Sequence, residues 1–144
     1  MTNTMNELLD SEFAEFPVLV AGPATQQAVR QIEDFVGFPL SDSYRDFVAR
    51  YGGAIVGPYS VFGSGASNAM AANESSVIEV TNRFRADNWP GSDNALVVSM
   101  DHAGNAIMLG EDGKIVCYDH DAGETDILAP TFERFIIDWC LKAG

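Results

Sequence analysis

The sequence of 144 residues predicts an α+β fold built on a mainly antiparallel sheet. Three observations carry that prediction. Residues 95–121 read as three short strands joined by two tight turns, with Gly104 and Gly113 where hairpin turns often need positive φ. The helical stretches lie before and after this meander, in the order helix, helix, strands, helix, several strands, helix. No single strand alternates regularly with a single helix, which argues against a doubly wound parallel sheet.

The elements follow in order. Residues 1–20 are ambiguous: Leu8, Leu9, Phe13 and Phe16 could form a short amphipathic helix stopped by Pro17, and Gly22-Pro23 punctuates the chain. Over residues 25–36, Ala28, Val29, Ile32, Phe35 and Val36 line one helical face, with Thr25 as N-cap and Gly37 as terminator. Phe38-Pro39-Leu40 is a short extended link. A second helix begins near Ser41 or Ser43, buries Tyr44, Phe47, Val48 and Tyr51, and ends at Gly52-Gly53. Gly57-Pro58 then splits two short strands. Residues 64–75 are small and polar and read as a loop, and Gly63-Ser64-Gly65 has neither the frame of a nucleophile elbow nor the remaining glycines and lysine of a phosphate loop.

Residues 75–86 place Val77, Ile78, Thr81 and Phe84 at helical spacing. After the loop holding Trp89 come the strands 96–100, 106–110 and 114–120, and residues 124–128 offer a fourth. The last helix opens at Pro130-Thr131, with Phe132, Phe135, Ile136, Trp139 and Cys140 on its apolar stripe. This stripe is the best candidate to cover one face of the meander. Trp139 is therefore expected in the core, and Trp89 at a core edge in preference to a partner contact.

Composition bounds function. A hydrophobic content of 47% suits one packed domain, with residues 1–24 as an N-terminal extension of it. No run of 18 apolar residues occurs, and the acidic start lacks the pattern of a secretory signal, so the cytosol is the expected compartment. Cys117 and Cys140 are expected as reduced core thiols there. With 21 acids against 8 bases the net charge is −13. From Asp93 to Asp126, the eight acids Asp93, Asp101, Glu111, Asp112, Asp119, Asp121, Glu124 and Asp126 face one base, Lys114. That balance argues against nucleic acid and anionic membranes, and suits either a basic protein partner or plain solubility.

Asp101-His102 and Asp119-His120-Asp121 are the one constellation resembling a site. Brought together, they could ligate a metal or form a carboxylate-oriented base, giving a metal-dependent enzyme built on His102 and His120. Their spacing fits no motif of known mechanism, and Asp and His are ordinary turn residues, so the turn reading is preferred. No cofactor and no metal is expected.

Residues 32–54 resemble the opening motif of the SUKH superfamily, which includes fungal cell-wall-assembly regulators and many bacterial immunity proteins. A glutamate-bearing helix, a glycine, a proline-leucine link, a second helix and a Gly-Gly match Glu33, Gly37, Pro39 with Leu40, Tyr44 to Tyr51, and Gly52-Gly53. Gly104-Asn105, Asp119-His120-Asp121 and the closing helix at 129–141 also resemble the family pattern, so the likeness spans about 25–142. The order Pro39-Leu40 departs from the usual Leu-Pro. The resemblance implies helices packed on a curved, mostly antiparallel sheet and a non-catalytic binding module. It implies an immunity protein that neutralises a cognate toxin, with a regulatory or scaffold module as the alternative. The expected partner-binding residues are the turn acids Asp101, Glu111, Asp112, Asp119 and Asp121. All five are expected to tolerate reversal to lysine without unfolding.

Overall fold

The structure, a computed structural model, describes residues 4–70 and 75–143. Helix α1 (Thr4–Glu15) precedes a 3-10 turn (Pro17–Leu19), then α2 (Gln26–Val36) and α3 (Asp42–Tyr51). The hairpin β1 (Ala54–Val56) and β2 (Tyr59–Val61) leads through α4 (Val77–Ala86) into a four-stranded meander. Its strands β3 (Leu96–Met100), β4 (Ala106–Leu109), β5 (Ile115–Asp119) and β6 (Glu124–Ala129) pair antiparallel in sequence order. The α+β architecture predicted from the sequence is the one observed. Part of the predicted 64–75 loop, residues 71–74, lies outside the described residues.

Local chemistry sets the helix ends. Thr25 caps α2 by accepting a hydrogen bond from Ala28 N at 3.1 Å, and Gly37 closes it at φ +87°. Ser41 stands at the N-cap of α3 but makes no capping bond. Ser43 serves a different helix: its Oγ accepts from Glu133 N at 3.2 Å, at the start of the C-terminal helix. In α1 the buried stripe is Met5, Leu9 and Phe13, with Asn6 beside it, whereas Leu8 and Phe16 are exposed. This corrects the expected face by one helical row. Phe13 meets Tyr51 edge-on at 5.2 Å, and Asp10 accepts from Tyr51 Oη at 2.7 Å and pairs with Arg50 at 2.8 Å. The N-terminal segment is thus part of the core.

The strand registers sort the sheet into two faces. Ile107, Leu109, Ile115 and Cys117 share one face; Ala106, Met108, Val116 and Tyr118 share the other. The C-terminal helix, running through Phe132–Arg134, Phe135–Cys140 and Leu141–Ala143, covers the first. Phe135 of this helix meets the Tyr59 ring at 6.2 Å, and burial, followed by Cys140, Asp101 and Cys117, raises the Tyr59 pKa. Phe132 then joins this layer to α3, with Tyr44 at 5.0 Å and Phe47 at 5.3 Å. The second face lies under α4 and the loop after it: Trp89 packs on Phe84 and Tyr118, and Gly91 abuts Met108.

A register shift between Val97 and Ser99 joins hairpin to meander. Val98 O accepts from Phe62 N at 2.8 Å, and Ser99 Oγ donates to Ser60 O at 2.7 Å. The bulge also places Val97 N against Thr81 Oγ1 of α4, a buried bond of 2.9 Å. Thr81→Val keeps the shape but strands a buried N–H, so it should lower unfolding free energy by about 1–3 kcal/mol in denaturant titration. Beyond the hairpin, Val20 bridges Ala54, closing that side of the sheet.

The middle of the C-terminal helix, Phe135–Cys140, is π-helical, and Leu141 N donates to Ile136 O. The wider turn shifts the phase of the stripe. Phe132, Phe135, Ile136 and Cys140 stay buried, but Trp139 is 39% exposed, correcting its expected place in the core.

Candidate protein-binding surface

Successive turns of an antiparallel meander fall at opposite ends of the sheet, and this divides the five predicted partner-binding acids. Asp101, Asp119 and Asp121 lie at the end formed by the β3–β4 and β5–β6 turns; Glu111 and Asp112 lie at the β4–β5 turn at the other end. The strands between them separate the groups by on the order of 13 Å. They do not form one continuous rim.

Nor are they equivalent. Asp101 Oδ1 accepts from Ala103 N and Asn105 N, both at 2.9 Å, and Oδ2 accepts from Asn105 Nδ2 at 2.9 Å. Burial opposes its charge, but these donors outweigh that and hold the carboxyl below its ordinary value. Asp119 Oδ1 accepts from Asp121 N at 2.9 Å and Ala122 N at 3.2 Å, and Asp112 Oδ1 from Lys114 N at 3.0 Å. A lysine cannot accept any of these bonds. The expectation that all five acids could be reversed without cost to folding is therefore corrected. Glu111 and Asp121 remain exposed and make no turn-building side-chain bond of this kind.

The Asp-His pairs are joined through a residue not singled out in the sequence. Asn105 is 3% exposed. Its Nδ2 donates to Asp101, while its Oδ1 accepts from His120 N at 3.1 Å and also contacts His120 Nδ1. His120 further packs against Trp89, and its Nε2 lies 3.4 Å from Asp121. His102 instead stacks on Tyr59, 5.5 Å between ring centres. The network ties the β3–β4 turn to the β5–β6 turn, which is a turn-building role. Among the described residues, no three His, Cys, Asp or Glu side chains gather as a metal would require. Both cysteines are free and buried, and burial, followed by Asp101, Asp119 and Asp126, pushes the Cys117 thiol up to about 11. A thiol held so far from its thiolate is a poor nucleophile at neutral pH.

At the same end begins a surface that the sequence reading passed over. Glu124, Thr125, Asp126 and Ile127 of β6 are exposed in succession, Ile127 at 62%. Trp139 stands beside their far end, its Nε1 donating to Leu128 O at 2.9 Å. Glu124 and Asp126 belonged to the acidic run already noted. The charged alternation E-T-D-I was the signal that this strand is an edge.

The fold and the helix-pair motif find a match among known families. Residues 23–138 match the SMI1 / KNR4 family (SUKH-1). The chain belongs to that family. No curated protein matches it. SUKH-1 membership supports a function of the immunity-protein or SMI1/KNR4 kind, exercised through contact with another protein. No helix among the described residues of this SUKH-1 chain is long and apolar enough to cross a membrane.

The structure gives the motif residues of the SUKH-1 domain physical roles. Glu33 Oε2 accepts from Leu40 N at 2.8 Å and from Arg45 Nη2 at 3.1 Å, while Arg45 also donates to Leu40 O at 2.9 Å. The glutamate thus clasps the Pro39-Leu40 link between α2 and α3. The Leu40 N–H bond, assisted by Arg45, outweighs desolvation and lowers the Glu33 pKa from 4.5. Its contribution to stability is whole above about pH 5 and fades as pH falls through the lowered folded value. In denaturant titrations from about pH 7 to about pH 3, Glu33→Gln should be less stable at the neutral end, and the two curves should converge in acid. A constant gap across that range would show that the clasp does not depend on charge.

Proposed function

We propose that this SUKH-1 domain is a non-catalytic immunity protein that binds and neutralises a basic, nuclease-like toxin domain. The observation that carries this reading is the charge at the β5–β6 end of the meander. Asp119, Asp121, Glu124 and Asp126 cluster on one turn and its outgoing strand, and no lysine or arginine occurs between Lys114 and Arg134. A protein acting on nucleic acid presents a basic face to phosphate, and an acidic surface complements such a face. The field of an acidic surface also speeds encounter, which suits an inhibitor that must bind before damage is done.

Of the turn acids, Asp121 and Glu111 are the ones free to meet a partner, and Asp101, Asp112 and Asp119 build the turns that present them. The test is capture. The tagged protein should retain the product of the neighbouring reading frame, and its co-expression should restore growth to cells making that product. Capture of a cellular protein together with no effect on growth would favour the regulatory or scaffold reading. Turnover of substrate by the purified protein would overturn the non-catalytic assignment.

A further inference from the structure

The two sides of the sheet are finished differently. On the β3 side the hairpin follows through the Phe62–Val98 hydrogen bond, and Val20 bridges Ala54 beyond it. On the β6 side, among the described residues, no segment pairs with the outer edge, and residues 124–127 are exposed. An edge strand carries a row of unpaired N–H and C=O groups, and these are a template for another strand. Here the template has defined limits. The β5–β6 turn bounds it at one end. At the other, the Trp139 indole occupies Leu128 O beside the register shift opposite Ile115 and Val116.

The side chains of this edge state what kind of strand would fit. Glu124 and Asp126 point to one face of the sheet, and Thr125 and Ile127 to the other. Exposed Ile127 supplies apolar surface on the Thr125 face, while Trp139, on the helix that covers the Glu124 and Asp126 face, bounds the edge at Leu128. A second copy of this chain would set Glu124 and Asp126 against like charges, which opposes self-pairing. A strand with basic residues on one face and apolar residues on the other meets opposite charge and apolar surface in register.

We infer that the β6 edge receives an extended basic segment of the partner protein as an added strand, with Glu124 and Asp126 reading its basic side chains and Ile127 its apolar ones. This rests on the reading of the chain as a protein-binding module. Main-chain hydrogen bonds supply affinity in such pairing, and the alternating side chains supply selectivity.

A synthetic peptide of alternating lysine and valine tests this on the whole protein. It should bind, and bind more weakly as salt rises. It should slow hydrogen exchange of amides within residues 124–127 and leave those of β1 unchanged. Alternate N–H groups of a strand point the same way, so two isomers N-methylated on alternate residues should differ by about tenfold or more in affinity. A glutamate–valine peptide should not bind. No binding of the lysine–valine peptide, equal binding of both methylated isomers, or protection elsewhere with 124–127 unmoved would each overturn the inference. Its failure is separable from that of the immunity reading. Capture of the neighbouring-frame product without peptide pairing leaves the binding module standing and removes the edge, and the reverse result removes the proposed partner alone.

Discussion

Gly63→Ala should destabilise the fold by about 3 kcal/mol or more, while Gly65→Ala, two residues away, should stay within about 0.5 kcal/mol of wild type. A Cβ at Gly63 would overlap the carbonyl oxygen of Gly52, whereas one at Gly65 would meet nothing within 4 Å. The obstacle at Gly63 is backbone, so no rotamer change relieves it. Gly52 is in turn constrained: it sits at φ +76°, and a Cβ there would overlap Gly22 O. Three segments cross at this point. Gly22 N donates to Tyr51 O at 2.9 Å, Ala21 N to Gly53 O at 2.8 Å, and Val77 N to Gly63 O at 2.8 Å. Parting Gly63 from Gly52 therefore loosens the end of α3, the N-terminal segment and the start of α4 together. For a chain of this size the loss corresponds to a fall in Tm on the order of 10 °C. Equal melting of the two variants would show that the crossing is not held by close backbone approach.

That crossing also marks how much of the fold the sequence disclosed. Gly52-Gly53 was legible as the end of a helix, and Gly63-Ser64-Gly65 as the start of a loop. That Gly63 is packed glycine-on-glycine against Gly52 was not legible, because the two meet only once β1 and β2 fold back on each other. Local signals carried well wherever partners are local: Thr25 caps α2, Gly37 ends it, and all four strands of the meander fall where their turns place them. They failed where a distant group decides. Ser43 is used by Glu133, and the buried row of α1 is chosen by its packing on Tyr51. The π-helical turn moves Trp139 outward although its spacing matches an α-helical stripe. The division of the acids between two ends was legible in principle, since consecutive hairpin turns must alternate. What hid it was reading charge as a run along the sequence and not as positions on a sheet.

Reversing Asp121, Glu124 and Asp126 to lysine should slow association with a basic partner by tenfold or more, with the fold intact. The size follows from steering: fields of this kind change on-rates by about 10–10³. These three carboxylates are exposed, and the turn bonds of Asp101 and Asp119 are left in place. The proper control changes net charge equally elsewhere. Glu7, Glu15 and Asp34, exposed on α1 and α2, serve this purpose, since three reversals of two charges each take either variant from −13 to −7. At physiological salt the screening length is about 8 Å, so charges remote from the contact contribute little. The β6 variant should lose most of its on-rate and the control little, measured by stopped-flow against the captured partner, and the difference should shrink as salt rises. Equal slowing of both variants would mean that net charge alone acts and the β5–β6 end has no special part. Unchanged rates in the β6 variant, with its melting curve intact, would move the interface to another surface. The design also separates steering from contact. If only the approach is electrostatic, dissociation stays near wild type. If Glu124 and Asp126 pair with basic side chains in the bound state, dissociation quickens as well, and the salt dependence of affinity falls with the number of pairs lost.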